Sequence, residues 1–264
     1  MSARKRYEVL PGRKSSLAKM ETSATGEYAG KTDALAELKR LNKQTAELVR
    51  KLGAENRRAV LVVLQGVDTA GKDGAVRHVF TGVNPELCRV TAFDEPSGEE
   101  LKHDYLWRIN RVLPEWGQLG VFNRSHYEDA VTRRARGELS AEDMRMRLRQ
   151  IADAERTWTE NGMTLLKFFL HISRKEQDKR LKARREDPEK HWKIEKSDFD
   201  DRKRWGKFQH AYEEAIFQTA RRHAPWYVIP ADHKWYRDVV IAETLLETLR
   251  RMDPQYPEAP VKNT

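Results

Sequence analysis

Apolar residues along the chain alternate between short β-branched runs and helical repeats. Residues 59–64 read Ala-Val-Leu-Val-Val-Leu and are apolar on both faces, which is typical of a central strand in a parallel sheet. Before this run, leucines at helical spacing predict a packing helix that begins at Thr32 and ends near Gly53. Further strands are predicted at residues 89–93, 119–122, 164–172 and 226–229, and helices near residues 99–116, 141–160, 207–223 and 235–251. The alternation of strand and helix predicts a doubly wound α/β fold.

Two stretches depart from this alternation. Residues 1–30 are basic and polar without a sustained period, and they predict an N-terminal arm that lies on the domain or on a neighbouring subunit. Residues 174–204 contain 13 Lys or Arg and 9 Asp or Glu with almost no apolar period, which indicates a solvent-facing excursion from the sheet. We therefore expect a single domain over residues 31–264 with an insertion at about 174–204.

Composition narrows the class of protein. The chain of 264 residues is 39% hydrophobic and 34% charged, as expected for a highly charged globular protein that can bury a core. It has one cysteine, Cys88, and no apolar stretch near its start, so a cytoplasmic location and no membrane association are expected. The net charge of +9 predicts attraction to polyanions but does not say which polyanion.

A phosphate-binding loop follows the predicted central strand. Gly66, four further residues, Gly71 and Lys72 match the Walker A spacing between a buried strand and a helix. In that position backbone N–H groups and the helix N-terminus point at an anion, and the lysine adds a positive charge. The alternative is a coincidental glycine turn.

The residue after the loop lysine is Asp73, so the hydroxyl that usually binds magnesium is missing. Asp68, inside the loop, is the candidate to replace it, because Mg²⁺ prefers oxygen ligands and shares them with substrate phosphates. The alternative is that Asp68 caps the following helix or closes the turn.

Two motifs together resemble those of the family-2 polyphosphate kinases. Residues 64–74 read Leu-Gln-Gly-Val-Asp-Thr-Ala-Gly-Lys-Asp-Gly, and residues 120–129 read Gly-Val-Phe-Asn-Arg-Ser-His-Tyr-Glu-Asp. The similarity extends from about residue 28 to residue 252 and includes residues 82–85 and 93–97. Two separated motifs in the right order are much more specific than either one alone.

The resemblance implies a thymidylate-kinase-like P-loop fold with a mobile helical lid. It implies reversible transfer of a phosphoryl group from inorganic polyphosphate to ADP, AMP or both, with Mg²⁺ as the cofactor. On this basis Asp68, Lys72, Arg124 and Glu128 are the candidate catalytic residues, and Asp68 and Glu128 the candidate metal ligands. Many members of the family have aspartate where this chain has Asn123, so Mg²⁺ is expected to use another carboxylate, that of Glu128. The combination of residues 72–74 with Asn123 and Glu128 resembles the subgroup that accepts nucleoside mono- and diphosphates.

Further residues are candidates for substrate binding. The candidate phosphate-binding residues are Gly66, Ala70, Gly71, Lys72, Asp73, Arg77 and Arg133, joined by the lid cations Arg174, Lys175 and Lys179 that the resemblance implies. The candidate nucleotide-binding residues are Asp94, Glu95, Pro96, His103 and Asn123. For the surface cations the alternative is a solvated side chain, and for Arg124 it is a structural salt bridge.

Three rival functions remain open at this point. An ATP-dependent nucleoside monophosphate kinase would use the same loop, lid and fold. A nucleic-acid-binding protein is suggested only by the charge, and no nucleic-acid module is recognisable, so no nucleic-acid partner is expected. A non-catalytic scaffold is the third rival. The expected partners are inorganic polyphosphate, adenine or guanine nucleotides, and further copies of the chain in a homo-oligomer.

Overall fold

The computed structural model describes residues 3–12, 16–193 and 196–258, and these build one six-stranded sheet flanked by helices. The strands are β1 (Glu8–Val9), β2 (Ala59–Gln65), β3 (Cys88–Ala92), β4 (Leu119–Asn123), β5 (Met163–His171) and β6 (Trp226–Pro230). Their order in the sheet is β1-β6-β5-β2-β4-β3, and only β1 runs antiparallel to its neighbour among the pairs described.

Strand β2 lies at the centre of the sheet because its sequence is apolar on both faces. All seven of its residues are buried, and it pairs in parallel with β4 on one side and β5 on the other. Leu64 is in register with Asn123, so the carboxyl ends of β2 and β4 lie side by side. Ligands of open α/β sheets collect at such an edge, where the strand order reverses.

The helices pack as two groups around the sheet. The longer ones are α2 (Lys31–Glu55), α3 (Lys72–Val79), α5 (Glu128–Arg136), α6 (Ala141–Glu160), α7 (Arg174–Glu186), α8 (Lys196–Lys203), α9 (Trp205–Thr219) and α10 (Lys234–Met252), and the short ones are α1 (Ala3–Tyr7) and α4 (Trp107–Asn110). Helix α10 packs on α2 and α3, whereas α9 packs on α5 and α6. None of the described helices is both long enough and apolar enough to cross a membrane.

The predicted α/β class and the predicted strands are confirmed, with strand ends that differ by one or two residues. The helix predicted near residues 99–116 is wrong. A 3₁₀ helix, Gly98–Lys102, and the four-residue α4 stand there instead. The sequence offers this stretch no continuous apolar face, since Leu101 is 69% exposed, and a capping box at Ser97 favours a short turn.

The N-terminal residues extend the sheet. Strand β1 pairs with β6, and Leu17 is buried against the same domain, where its carbonyl oxygen contacts His171 Nε2 at 3.0 Å. Residues 1–2 and 13–15 of the predicted arm, residues 194–195 of the predicted insertion and residues 259–264 of the predicted domain lie outside the described residues.

Part of the predicted solvent-facing excursion at residues 174–204 is buried, on one face of α7. Gln177, Arg180 and Leu181 of this helix are buried. Their burial follows from contacts with the phosphate loop: Gln177 Nε2 donates to Asp68 O at 3.1 Å, and Arg180 Nη1 donates to Thr69 O at 3.0 Å. Charge counts alone missed this face because its polar atoms bond backbone carbonyl groups rather than water.

Candidate active site

The loop between β2 and α3 has backbone angles that only a few residue types adopt. Gly66 has φ 153° and Gly71 has φ 102°, both in the range that favours glycine, and Thr69 also has a positive φ of 64°. A Cβ at Gly71 would lie 2.0 Å from Arg237 Nη1. The loop is therefore closely fitted to its surroundings, and the first amides of α3 face the space above it.

Lys72 folds back over its own loop. Its Nζ donates to Gly66 O at 2.7 Å, and the residue is only 8% exposed. Burial lowers the pKa of Lys72, and the charge of Arg124 lowers it further, whereas Asp68, Glu128 and Asp73 act in the opposite direction. The charged groups that act on the Lys72 ammonium are therefore one guanidinium and three carboxylates.

Arg124 follows β4 and lies beside Asp68. Its Nη2 is 3.3 Å from Asp68 Oδ1, and its backbone, at φ 66°, donates from N to Leu64 O at 3.1 Å. Burial disfavours its charge, but Glu128 and Asp68 outweigh burial and raise the pKa of Arg124 above its ordinary value. About a third of the Arg124 side chain (34%) is exposed, so its ion pair with Asp68 is open to solvent on one side.

Glu128 begins α5 on the same side of the sheet. Its Oε2 accepts from Thr132 at 2.7 Å, and its Oε1 accepts from Gln65 at 2.9 Å when the Gln65 amide nitrogen faces it. Both carboxylate oxygens are thus oriented by neighbouring donors, and the carboxylate influences Lys72, Arg124 and Tyr212 electrostatically.

Asp73 is tied to the second motif. Asn123 Nδ2 donates to Asp73 Oδ1 at 2.9 Å, which joins the end of β4 to the first turn of α3. An amide at position 123 can donate to this carboxylate, whereas an aspartate there would repel it. This chain therefore has a hydrogen-bonding pair, Asn123 and Asp73, at the two positions where it lacks the commoner aspartate and the usual hydroxyl residue.

Two clefts meet at this edge of the sheet, and we name them by their lining. The basic cleft, of about 660 Å³, lies above the loop, and the mixed cleft, of about 500 Å³, lies above α5. Asp68, Phe93, Asp94 and Arg124 line both of them. A group held in one cleft therefore borders the other at Asp68 and Arg124.

The basic cleft collects cations from four parts of the chain: α3, the turn after β4, α7 and α10. These cations are Lys72, Arg77, Arg124, Arg180, Arg184, Lys234 and Arg237. Its acids are Asp68, Asp73 and Asp94. A cavity with this excess of positive charge and with helix amides at its base suits a phosphate chain.

The mixed cleft combines apolar surface with paired charges. Phe93, Pro96, Leu101, Phe208 and Tyr212 line it together with Glu95, Glu128 and Arg133. Apolar walls with a few fixed polar groups are typical of sites for small organic molecules such as a nucleoside.

The structure brings most of the sequence-predicted site residues to these two clefts. Gly66, Asp68, Gly71, Lys72, Asp73, Arg77, Asp94, Glu95, Pro96, Asn123, Arg124, Glu128 and Arg133 all line one or both. Ala70 lies in the loop, where its carbonyl oxygen accepts from Arg180 and Arg237. Their roles in binding and catalysis stay predictions.

Besides Ala70, four predicted residues are not among those that line the clefts. His103 stacks on Trp107 with ring centroids 4.0 Å apart, and it precedes α4 rather than standing on a helix with Trp107. Arg174, Lys175 and Lys179 lie on α7, which turns Arg180 and Arg184 toward the basic cleft instead. Lys179 is 79% exposed and lies 3.8 Å from Glu176.

Sequence reasoning missed Arg180, Arg184, Lys234 and Arg237 as lining residues of the basic cleft. For Lys234 and Arg237 a signal existed, because they follow the predicted strand at 226–229 and the carboxyl ends of parallel strands share one edge. For Arg180 and Arg184 no signal separated them from the other cations of α7, since the helix carries basic residues all round.

Comparison with known proteins gives a consistent result. The model of the family described as Polyphosphate kinase 2 matches residues 28–257. An AMP/ADP-polyphosphate phosphotransferase of Meiothermus ruber is 44% identical over 96% of both chains. An ADP-polyphosphate phosphotransferase of Rhodopseudomonas palustris is 37% identical over 96% of this chain and 92% of its own. The crystal structure of polyphosphate kinase 2 from Arthrobacter aurescens TC1 superposes with a TM-score of 0.93 at 39% identity, covering 98% of this chain and 93% of that one.

Proposed function

The chain belongs to the polyphosphate kinase 2 family and is a phosphotransferase, and we propose that it moves a phosphoryl group from inorganic polyphosphate to ADP and AMP. The observation that carries this proposal is the meeting of two chemically different clefts at Asp68 and Arg124. One cleft suits a linear chain of phosphates, and the other suits a nucleoside. The shared residues then mark the point where donor and acceptor phosphates meet.

The donor belongs in the basic cleft. The loop amides and Lys72 would hold the terminal phosphates of polyphosphate, and Arg180, Arg184 and Arg237 add positive charge around them. The nucleotide belongs in the mixed cleft, with its base among Phe93, Pro96 and Phe208 and its phosphates directed toward Arg124. Names of more distant relatives also include GDP-polyphosphate phosphotransferases, so the choice of base is part of the test below.

The reaction requires positioning and charge rather than a covalent protein intermediate. A terminal phosphate oxygen of the nucleotide attacks the terminal phosphorus of polyphosphate. The bond from that phosphorus to its bridging oxygen breaks, and the electron pair leaves with a polyphosphate one unit shorter. Arg124 and Lys72 stabilise the charge on the transferring oxygens, because both lie beside the point where the clefts meet.

Asp68 and Glu128 are the residues that would hold Mg²⁺. Both line the mixed cleft, and both raise the pKa of Arg124, so both are close to one cationic centre. No group of three His, Cys, Asp or Glu side chains in the described part of the chain is placed as a complete metal cage. Two carboxylates fit Mg²⁺, which commonly completes its coordination with substrate phosphates and water. When bound, the ion neutralises charge on the phosphates and orients them.

The direct test is turnover without ATP. Purified protein is incubated with polyphosphate, Mg²⁺ and either ADP or AMP, and the nucleotides are separated by ion-exchange chromatography. We expect ATP from ADP and ADP from AMP, and parallel reactions with GDP and GMP measure the choice of base. The absence of nucleotide product at every Mg²⁺ concentration, together with product from AMP and ATP, would instead establish an ATP-dependent kinase.

Matched variants connect this activity to the site. Lys72→Ala and Arg124→Ala are each expected to lower kcat by roughly a hundred-fold or more, because each removes charge from the transferring group. Lys102→Ala is the control, since Lys102 is exposed and does not line either cleft. Equal losses in all three variants would contradict the assignment of the site.

A further inference from the structure

A third cavity lies between α2 and the C-terminal end of α3, outside the two clefts. We call it the α2 groove; its volume is about 780 Å³. Its lining residues from α2 include Leu35, Leu38, Lys39, Asn42, Lys43 and Arg50. His78, in the last turn of α3, lines both this groove and the basic cleft, so the two cavities adjoin at its imidazole.

The wall of the groove carries a row of cations along one face of α2. Lys39 and Lys43 are four residues apart, and Arg50 follows seven residues later, which places all three on the same helical face. At 1.5 Å per residue the row is about 16 Å long. One acid, Glu47, also lines the groove, and Arg50 Nε donates to Tyr256 Oη at 3.0 Å. Within the described residues neither lysine forms an ion pair.

Residues of α3 and of the turn after it connect the lining of the basic cleft to the lining of this groove. Gly74, His78 and Thr81 follow each other at helical spacing, and Gly82 comes next. Gly74 lines the basic cleft, whereas Thr81 and Gly82 line the α2 groove, so small residues precede and follow His78 along this connection. A chain that leaves the loop can therefore follow α3 past His78, and Arg77 beside it adds a further positive charge to the lining of the basic cleft.

A carboxylate of α10 holds the His78 side chain in place. Its Nδ1 lies 2.8 Å from Asp238 Oδ2, and Asp238 Oδ1 in turn accepts from the buried Arg237 at 2.8 Å and 2.5 Å. About half of the imidazole (49%) remains exposed. The ring is thus a fixed polar surface between the two cavities rather than a freely moving side chain.

The charge pattern decides which occupant the groove fits. Leu35, Leu38 and Ala46 give it an apolar surface, to which lysine side chains can add their methylene groups while the ammonium groups stay in water. A nucleoside would need only the apolar surface of the groove and not its row of cations. A row of cations that continues from a cleft lined with seven further Lys and Arg suits a linear polyanion that enters both cavities.

We propose that a long polyphosphate donor continues beyond the phosphates held at Lys72, passes over His78 and occupies the α2 groove, where Lys39, Lys43 and Arg50 neutralise it. This inference rests on the proposed function and concerns the distal part of the donor. Since a short oligophosphate held at the loop ends before the groove, the groove selects for chain length. Binding there adds affinity for long donors and leaves the transfer step unchanged.

Charge reversal on α2 tests the proposal. The variant Lys39→Glu/Lys43→Glu is compared with Lys31→Glu/Lys51→Glu, which makes the same change of charge on the same helix at residues that do not line the groove. For each protein, KM and kcat for ADP phosphorylation are measured with long-chain polyphosphate and with tripolyphosphate. We expect the ratio of the long-donor KM to the short-donor KM to rise roughly ten-fold in the groove variant and to stay near the wild-type ratio in the control.

Each other outcome has a definite meaning. An unchanged ratio in the groove variant overturns the proposal, and so does an equal rise in both double variants, which would show a long-range effect of net charge. A change of elution volume on gel filtration with an unchanged ratio would assign the groove to a second copy of the chain and also overturn it. Thermal unfolding confirms that both variants are folded. If wild-type protein uses no polyphosphate of any length, the proposed function itself fails, which is a distinct result.

Discussion

Arg180 Nη1 lies 3.0 Å from the carbonyl oxygen of Thr69, a loop residue that adopts a positive φ. The same guanidinium also donates to the carbonyl oxygens of Ala70, Ala231 and Asp232 at 2.7 to 3.0 Å. One side chain of α7 therefore fastens the phosphate loop to the turn between β6 and α10. Arg180 can be buried, at only 8% exposed, because these carbonyl oxygens replace water as its hydrogen-bond partners.

We predict that Arg180→Lys lowers kcat by roughly ten-fold to a hundred-fold. An ammonium has three donors at one point and cannot reproduce the planar fork that reaches four carbonyl groups, so the loop loses its fixed position. Steady-state kinetics with ADP and polyphosphate measure the effect. Lys182→Ala is the matched control on the same helix, where the side chain is 69% exposed. A comparable kcat loss in the control would contradict a specific role for Arg180.

We predict that Gly71→Ala destabilises the protein by more than about 2 kcal/mol. A Cβ costs about 1 to 2 kcal/mol in this backbone conformation, and here it would also lie 2.0 Å from Arg237 Nη1. Arg237 has little room to move, because it is buried and paired with Asp238. Urea unfolding measures the free energy difference.

Gly137→Ala separates the two contributions to this effect. Gly137 has a similar φ of 87° after α5, but a Cβ there would meet no atom within 4 Å. This control should lose only the conformational part, about 1 kcal/mol. Equal destabilisation in the two variants would show that the contact with Arg237 is unimportant.

The sequence predicted those parts of the fold that depend on local pattern. The apolar run at residues 59–64, the glycines of the loop and the motif at residues 120–129 placed β2, the loop and β4 correctly. Parallel pairing at one sheet edge then brings Asp68, Lys72, Arg124 and Glu128 around two adjoining clefts. These residues are predictable because each lies within a few positions of a strand end.

The cleft residues that the sequence did not predict depend on distant contacts. Arg180 and Arg237 donate hydrogen bonds to the carbonyl oxygen of Ala70, which lies 110 and 167 positions earlier in the sequence. No short motif encodes such a pairing. The predicted lid residues Arg174, Lys175 and Lys179 could not be distinguished from Arg180 by sequence, because α7 is basic on every side. Which of these cations faces the cleft is decided by tertiary packing.

A buried ion pair contacts the motif at residues 120–129 through Tyr127. Lys167 Nζ lies 2.5 Å from Glu155 Oε2, both side chains are fully buried, and the Tyr127 hydroxyl donates to Glu155 Oε1 at 2.8 Å. Burial lowers the pKa of Lys167, against the opposing effect of Glu155. Tyr127 lies between Arg124 and Glu128 in the sequence. The ion pair therefore stabilises the turn on which those two residues lie.

We predict that Glu155→Leu and Lys167→Met each destabilise the protein by about 3 to 5 kcal/mol, since each leaves one buried charge without its partner. The double variant should lose clearly less than the sum, because it removes both charges, with a coupling free energy of at least about 1 kcal/mol. Urea unfolding of all four proteins completes the cycle. Additive losses would show that the two charges do not stabilise each other.

His171 makes the stability of the protein depend on pH. It ends β5, is 4% exposed, and contacts Leu17 O through Nε2. Burial lowers the pKa of His171 below its ordinary value of 6.5, and the contact with Leu17 and the charge of Asp232 only partly oppose this. In the unfolded chain the imidazole takes up a proton near pH 6.5, whereas in the folded chain it does so only at lower pH.

The sign of the effect follows from this difference. Below pH 6.5 the unfolded state binds more protons than the folded state, so the free energy of unfolding rises with pH through this window and the contribution is complete above it. We predict that His171→Gln, which keeps a polar side chain near Leu17, loses less stability than wild type when urea unfolding is compared at about pH 5 and about pH 7.5. His210→Gln, at an exposed position of α9, should keep the wild-type dependence. The substitution removes the neutral buried imidazole. If the His171 variant nevertheless loses as much stability at low pH as the wild type, the acid sensitivity belongs to other groups.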